Sequence, residues 1–456
     1  MLPVFGKQTV FAPVLLFIVL MTVGVKAQSE HEGRISLKIA IERAFENDPV
    51  LRSASKGRQV AASGLSEARA LWFPSLRFNQ SFTRSNNPVF VFGSLLEQGR
   101  FGVSNFAIEA LNQPTPLTSS RSVLNAQFTI FDQWRRSSRI KKAEIGRDSS
   151  RLDEEALKQK TIFEVVRSYY GLILAREKVR VSEDSLRSAQ ENLRRAKDLS
   201  ELGRITDADS LAAEVEAAMA EQRLLEARGG ERIALADLNV RIGNSDFLEL
   251  VPDSDLAERF FPVGESTDLV SLAFENRPDW KSARLGVESS EADLRSAKGA
   301  WLPRVDAFAN FGYSSPMEGK GSSDYMYGMS LSYDIFDAGR TARTSQASGA
   351  KVIAEAKLDS ERNRIRIEVI RAEQNFKTAR ARVQVLVKSA DQAAEVLRIS
   401  RDRYQNGLTT LTEVLRAEAA LSNARQETLS ARHDYLVAHS ALLMATGRLT
   451  LDSVVD

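Results

Sequence analysis

Hydrophobic positions along this chain follow two periods, in separate stretches. Val414, Ala417, Leu421, Ala424, Thr428, Ala431, Tyr435, Ala438, Leu442 and Ala445 step by three and four residues. Val383, Val387, Ala390, Ala394, Leu397, Arg401 and Tyr404 do the same on the preceding stretch. A sustained repeat of ~3.5 residues predicts long helices in coiled-coil contact, and the alanines let neighbours approach closely. Four other runs, about 76–84, 122–131, 304–314 and 325–336, alternate with period two. Leu76, Phe78 and Phe82 share one face of the first run, opposite Arg77, Asn79, Ser81 and Thr83. In the last, Tyr325, Tyr327, Met329, Leu331, Tyr333 and Ile335 oppose Gly328, Ser330, Ser332 and Asp334. These are strands with one apolar and one polar face.

The order of elements is stated twice. Ala44-Phe-Glu-Asn-Asp-Pro49 recurs as Ala273-Phe-Glu-Asn-Arg-Pro278, and Trp72-Phe-Pro74 as Trp301-Leu-Pro303, both 229 residues on. Phe131-Asp132 matches Phe336-Asp337, while Gly203 and Gly243 match Gly407 and Gly447. Each copy reads as a helical segment (36–72, then 268–301), two strands, a very long helix (134–201, then 341–405), a glycine turn and a shorter helix (205–242, then 409–446). At 1.5 Å per residue the long helix measures ~100 Å and the shorter ~55 Å. Two shorter helices laid end to end would match one long helix, which implies parallel columns. The division is therefore a signal peptide at 1–27, a first repeat at 28–243, a linker at 244–267, a second repeat at 268–447 and a tail at 448–456.

The N-terminal reading rests on one charge, Lys7, before the apolar run Val10–Val25, with Val25-Lys26-Ala27 as a cleavage signal. No later stretch approaches ~18 consecutive apolar residues, so a membrane would be met by strands or at its surface. Each alternating run has the length of a tilted strand that crosses a bilayer, with a polar face suited to a watery lumen. A water-soluble sandwich would alternate in the same way. Against lipid, four strands cannot close a barrel, whose minimum is about eight, so copies of the chain would have to share one.

Composition removes most chemistry. With no Cys, there is no disulfide, thiolate metal site, cysteine nucleophile or lipid-anchoring cysteine. The 62 Lys and Arg nearly balance 60 Asp and Glu, which gives no case for a nucleic-acid partner. Only three His occur, and no metal, phosphate-loop or hydrolase signature accompanies them. No cofactor or catalytic residue is expected. Asp132 and Asp337, where strand becomes helix, read as structural N-caps, and the basic run Arg135–Lys142 as a solvated helix face. All twelve prolines lie at or before Pro316, and none falls between Pro116 and Pro252. They punctuate junctions and loops and leave the long helices unbroken.

The duplicated plan, the two Phe-Asp junctions and the turn Tyr404-Gln-Asn-Gly407-Leu-Thr-Thr-Leu-Thr-Glu-Val-Leu415 resemble the TolC family of outer-membrane channel-tunnels. The resemblance covers essentially the whole mature chain. It implies a mainly α fold with a β-barrel portion: a coiled-coil periplasmic tunnel plus four strands per protomer of a twelve-stranded barrel shared by a homotrimer. It implies an outer-membrane location reaching into the periplasm, in contact with outer-membrane lipid. The implied partners are an inner-membrane transporter and a periplasmic adaptor, in an efflux pump or type I secretion system. The tips that would dock the adaptor are Gly203, Arg204 and Ile205, and Gly407, Leu408 and Thr409. A periplasmic gate would use Tyr404, Glu413, Asp209 and Asp207, although Thr409 and Arg416 stand where the family's Arg and second Asp would be. The alternative from another class is a secreted or periplasmic coiled-coil adaptor or structural protein without channel activity.

Overall fold

The computed structural model describes residues 33–244, 248–256, 261 and 266–455. The signal-peptide reading of 1–27, His31 and parts of the 244–267 linker lie outside these.

Each copy begins with two helices where the periodicity predicted one. In the first, α1 (Leu37–Asn47) stops before α2 (Pro49–Ala70), and Asp48 between them is extended. Pro49 has no N–H and disfavours helical backbone in the residue before it. The Asp48 carboxylate then accepts from the Val50 N–H at 2.7 Å and starts α2. After α2 come strand β2 (Ser75–Ser85), helix α3 (Pro88–Glu97), a 3-10 turn (Val103–Phe106), α4 (Ile108–Asn112) and β3 (Leu117–Phe131). The connection between the two strands thus contains helix, because Asn87 caps the Val89 and Phe90 N–H groups at 3.0 and 3.2 Å while Pro88 fills the first helical position. The long helix α5 (Arg135–Glu201) and α6 (Asp207–Arg241) complete the copy.

The second copy repeats this with α7 (Ser266–Asn276), α8 (Pro278–Gly299), β5 (Arg304–Ser315), β6 (Ser322–Ser332), α9 (Arg340–Gln405) and α10 (Leu411–Ala445). Strand β6 ends at Ser332, so Tyr333, Ile335 and Phe336 fall outside it. Short strands β1 (Arg34–Ile35) and β4 (Val251–Pro252) pair in parallel and tie the start of the chain to the linker; α11 (Asp452–Val455) ends it.

The strands form one antiparallel sheet in the order β2-β3-β5-β6. The helices follow the same lateral order. On the sheet side of the middle, α2 packs on α5, α5 on α8, and α8 on α9; on the far side, α6 packs on α5, α5 on α10, and α10 on α9. At 1.5 Å per residue the 22 residues of α2 and 35 of α6 add to ~85 Å, against ~100 Å for the 67 of α5. The result is a four-element wall with first-copy elements at one edge and second-copy elements at the other.

The core lies at mid-height. Tyr169, Leu172, Val165 and Val166 of α5 meet Ala40 and Ile41 of α1, Leu238 of α6 and Leu449 in one buried cluster. The Tyr169 hydroxyl is 3.1 Å from the Ile35 carbonyl and 2.9 Å from the Asp253 carboxylate, and burial pushes its pKa up to about 12. A second cluster joins Ile365, Val369 and Phe376 of α9 to Trp280 of α8 and Ala431 and Tyr435 of α10. Toward the far end the clusters shrink to Ala and Leu seams such as Ala189, Ala217 and Ala220. Among the described residues, no helix is long and apolar enough to cross a membrane.

Candidate channel wall and periplasmic tips

The sheet separates two surfaces. Antiparallel register puts Phe78 beside Leu124, Leu124 beside Phe311, and Phe311 beside Tyr325, which makes one continuous apolar face. That face is bare: Phe78 is 66% exposed, Phe82 70%, Tyr325 71% and Leu331 69%. The opposite face carries Asn79, Asn125, Gln127, Asn310, Ser330 and Ser332. There the Thr129 hydroxyl and Arg304 guanidinium donate to the Asp306 carboxylate at 2.7 and 2.9 Å. On the same face Phe308 lies over Gly328, where an added Cβ would come within 2.9 Å of its ring. A polar, hydrogen-bonded face backed by an exposed apolar one suits a strand wall between water and lipid.

Strand passes to helix through two built junctions. The Asp132 carboxylate accepts from the Arg136 N–H at 2.6 Å, yet it does not hold the N-cap position itself. Left-handed Gln133 and Trp134, at φ 63° and 62°, intervene. Asp337 likewise accepts from the Gly339 N–H at 2.9 Å and pairs with Arg343. Arg136, expected on a solvated face, is instead 5% exposed. Its guanidinium lies 3.7 Å from the Trp72 ring centroid and donates to the Leu71, Thr129 and Ile130 carbonyls. Arg340 stacks on Trp301 at 4.7 Å, so Arg136, not Arg135, is its counterpart. Further along the run Lys141 pairs with Glu288 at 3.2 Å and Lys142 with Asp293 at 2.8 Å, while Arg135 is exposed. Repetition of Trp-x-Pro at an interval of 229 and of Arg at an interval of 204 was the signal that could have found these stacks.

At the opposite end both hairpins turn on a left-handed glycine, Gly203 at φ 66° and Gly407 at φ 73°. In each the last carbonyls are closed by two backbone bonds, Gly203 to Ser200 and Arg204 to Leu199, then Gly407 to Tyr404 and Leu408 to Arg403. This is a Schellman turn, and it requires glycine's freedom at that residue. Arg204 and Leu408 are exposed, Thr409 is half-buried, and Ile205 packs inward on the cluster of Ala196, Ala213, Leu411 and Leu415.

Of the expected gate residues, Tyr404 and Asp209 come together and Glu413 stands apart. Tyr404 packs into the apolar contact between the two hairpins, and burial and then the Asp209 carboxylate raise its pKa. Asp209 also completes a capping box with Thr206, accepting from its hydroxyl at 2.8 Å. Asp207 accepts from Ser200 at 2.9 Å across the turn. Glu413 pairs with Arg416 at 3.0 Å on the exposed side of α10. Sequence reasoning missed a further tie one to two turns away: Glu418 accepts from Arg401 of α9 and Asn192 of α5, both at 2.6 Å. Arg401 occupies a seam position in the heptad pattern, where a charge demands a partner.

Known proteins share this sequence pattern and fold. The sequence matches the family described as outer membrane efflux protein over residues 40–244 and 269–448. It is 26% identical over 427 residues to the alkaline protease secretion protein AprF of Pseudomonas aeruginosa, covering 89% of this chain and 83% of that one. It is 25% identical over 454 residues to the outer membrane efflux protein BepC of Brucella suis, covering 98% and 92%. The fold superimposes on the crystal structure of the Campylobacter jejuni CmeC outer membrane channel with a TM-score of 0.77 at 19% identity, over 90% of this chain and 85% of that one. This chain belongs to the outer membrane efflux protein family, the TolC family of channel-tunnels that its sequence resembles.

Proposed function

We propose that three copies of this chain close one conduit through the outer membrane, with a twelve-stranded barrel and a helical tunnel beneath it. The protein is a passive channel of a tripartite efflux or secretion assembly, not an enzyme. The observation that carries the homotrimer is the open wall. Among the described residues, strands β2 and β6 each lack a partner on one side, and the helical layers end at the same edges, α2 and α6 on one side and α9 on the other. Exposed Leu211, Val215 and Met219 on α6, and Ile353 and Ile367 on α9, supply apolar contact for a neighbouring copy. An unpaired strand edge is not tolerated in lipid, so edge must meet edge. This contact is head-to-tail and closes as a ring.

In this reading the polar sheet face lines the lumen. The tips at Gly203–Ile205 and Gly407–Thr409 dock the periplasmic adaptor, which links the channel to an inner-membrane transporter. Tyr404 and Asp209, with Asp207 nearby, form the narrow part of the tunnel, and Glu413 adds a charge that Arg416 offsets. BepC is named for efflux and AprF for secretion of a protease, so export of either class of cargo is consistent with the fold. Paired cysteines on the β2 and β6 edges test the assembly, since the chain has no other thiol. Oxidation in isolated outer membranes should give a detergent-resistant species of three chains. A chain recovered as a monomer without detergent would overturn the proposal.

A further inference from the structure

The connection between β2 and β3 does not extend away from the sheet. Helix α3 packs on β3 and also reaches β5 and β6, which are not part of its own hairpin. The face it covers follows from parity. Arg121 pairs in register with Ser314, and Gly312 with Asp324. Arg121 shares its face with Asn125 and Gln127, and Asp324 shares its face with Gly328 and Ser330, so all of these lie on the polar face.

At that place the Arg121 guanidinium makes an ion pair with Glu97 at the end of α3 at 2.9 Å. It also meets Asp324 of β6 at 3.2 Å and donates to the Ser314 hydroxyl at 2.8 Å. Next to it the Gln98 side-chain amide donates to the Thr118 carbonyl at 3.3 Å. The underside is sealed: Gln98 is 2% exposed and Ser314 0%. Phe101 holds the rest of the connection together, edge-on to Phe92 at 4.8 Å and to Phe106 at 5.1 Å. The segment is therefore a small folded unit fixed by charge to the polar side of the strands, at the end away from the helices.

We propose that this unit, residues 88–112, is an outer constriction. It sits inside the barrel mouth, one copy from each chain, and Arg121 is the positioning residue that keeps it there. The proposal rests on the reading of the polar face as the lumen. Charge-assisted bonds to Glu97 and Asp324 join α3 to the far strand, and their loss frees the unit to swing out. Bulky solutes are then restricted at the exit as well as at the periplasmic tips.

The test uses the absence of native thiols. Asn310→Cys places one thiol on the polar face, four residues along β5 from Ser314 and roughly 13 Å deeper. Phe311→Cys places one on the apolar face. Intact cells are treated from outside with a small maleimide and with the same maleimide on a bulky polymer. The small reagent should label Asn310→Cys equally with and without Arg121→Ser. The polymer should label it about tenfold faster in Arg121→Ser, and in Glu97→Gln/Gln98→Ala, which leaves the Arg121–Asp324–Ser314 cluster intact. Equal polymer rates in wild-type and both variant backgrounds would overturn the constriction while leaving the channel in place. Faster small-reagent labelling of Phe311→Cys than of Asn310→Cys would overturn the lumen assignment and the constriction with it.

Discussion

Asn192 on α5 donates to Glu418 on α10 over 2.6 Å, a polar bond that ties the first tip hairpin to the second. Glu418 also accepts from Arg401 at 2.6 Å, and its side chain is only 12% exposed. Around it the contact between hairpins is apolar and thin, built from Ala196, Leu411, Leu415 and Tyr404. Removing the carboxylate takes away the ion-pair partner of the half-exposed Arg401 guanidinium and the acceptor of the Asn192 amide. Glu418→Ala should lower stability by about 2 kcal/mol and raise single-channel conductance, because the hairpins separate more easily. Glu418→Gln should lie between the two. Unchanged conductance in Glu418→Ala would show that this tie does not restrain the tunnel.

The strand-to-helix junction gives a sharper stability test. Gly299 ends α8 against α5, and a Cβ there would overlap the Gln133 carbonyl oxygen and lie 2.9 Å from its carbon. Gln133 cannot retreat easily, since it and Trp134 already hold left-handed backbone. Gly299→Ala should cost about 3 kcal/mol or more and reduce the amount of assembled protein in the outer membrane. Gly286→Ala, in open space on the same helix, is the control and should be neutral or slightly stabilising.

Arg136 should tolerate no conservative change. Lysine offers a single ammonium where the guanidinium spans three carbonyls and the face of Trp72. Arg136→Lys should lower the melting temperature, equivalent to roughly 2 kcal/mol, whereas Arg135→Lys, on the exposed side, should be silent. Equal effects would mean that the stack on Trp72 is not what fixes the junction.

These junctions also mark how far the sequence can be read. The repeat, the long helices, the alternating strands and both glycine turns are visible because each depends on local period or on one special backbone position. The split at Asp48 and Arg277 is visible in principle, since proline follows both, but helical periodicity runs through it. The two left-handed residues that shift Arg136 into the place of Arg340 are not legible: neither Gln nor Trp favours that backbone, and the close approach to Gly299 that accompanies it is a tertiary contact. The placement of α3 over the polar face is equally hidden, because Arg121, Glu97 and Asp324 are far apart in sequence and meet only through strand register. Glu413 and Glu418 look alike along the chain, and burial alone separates the exposed pair from the tie between hairpins.

Acid should loosen the mid-height region. The His439 ring stacks on Phe261 with centroids 3.7 Å apart and planes 4° from parallel, and the Phe261 N–H donates to the Tyr435 hydroxyl at 2.9 Å. Burial lowers the pKa of His439 from 6.5 to about 4. Between those values the unfolded chain binds a proton that the folded one does not, so stability rises with pH across the window and falls on acidification. From pH 7 to pH 4 the loss from this residue should be on the order of 2 kcal/mol. His439→Phe keeps an aromatic ring and removes the titration, so its melting temperature should fall less over that window. Identical pH profiles would place the acid sensitivity elsewhere.

Ion conduction tests the central claim most directly. The full-length protein, extracted from outer membranes and added to a planar lipid bilayer, should produce discrete, uniform current steps whose size depends on voltage polarity, because strand and tunnel ends differ. Insertion without current steps, with Glu418→Ala equally silent, would contradict the account.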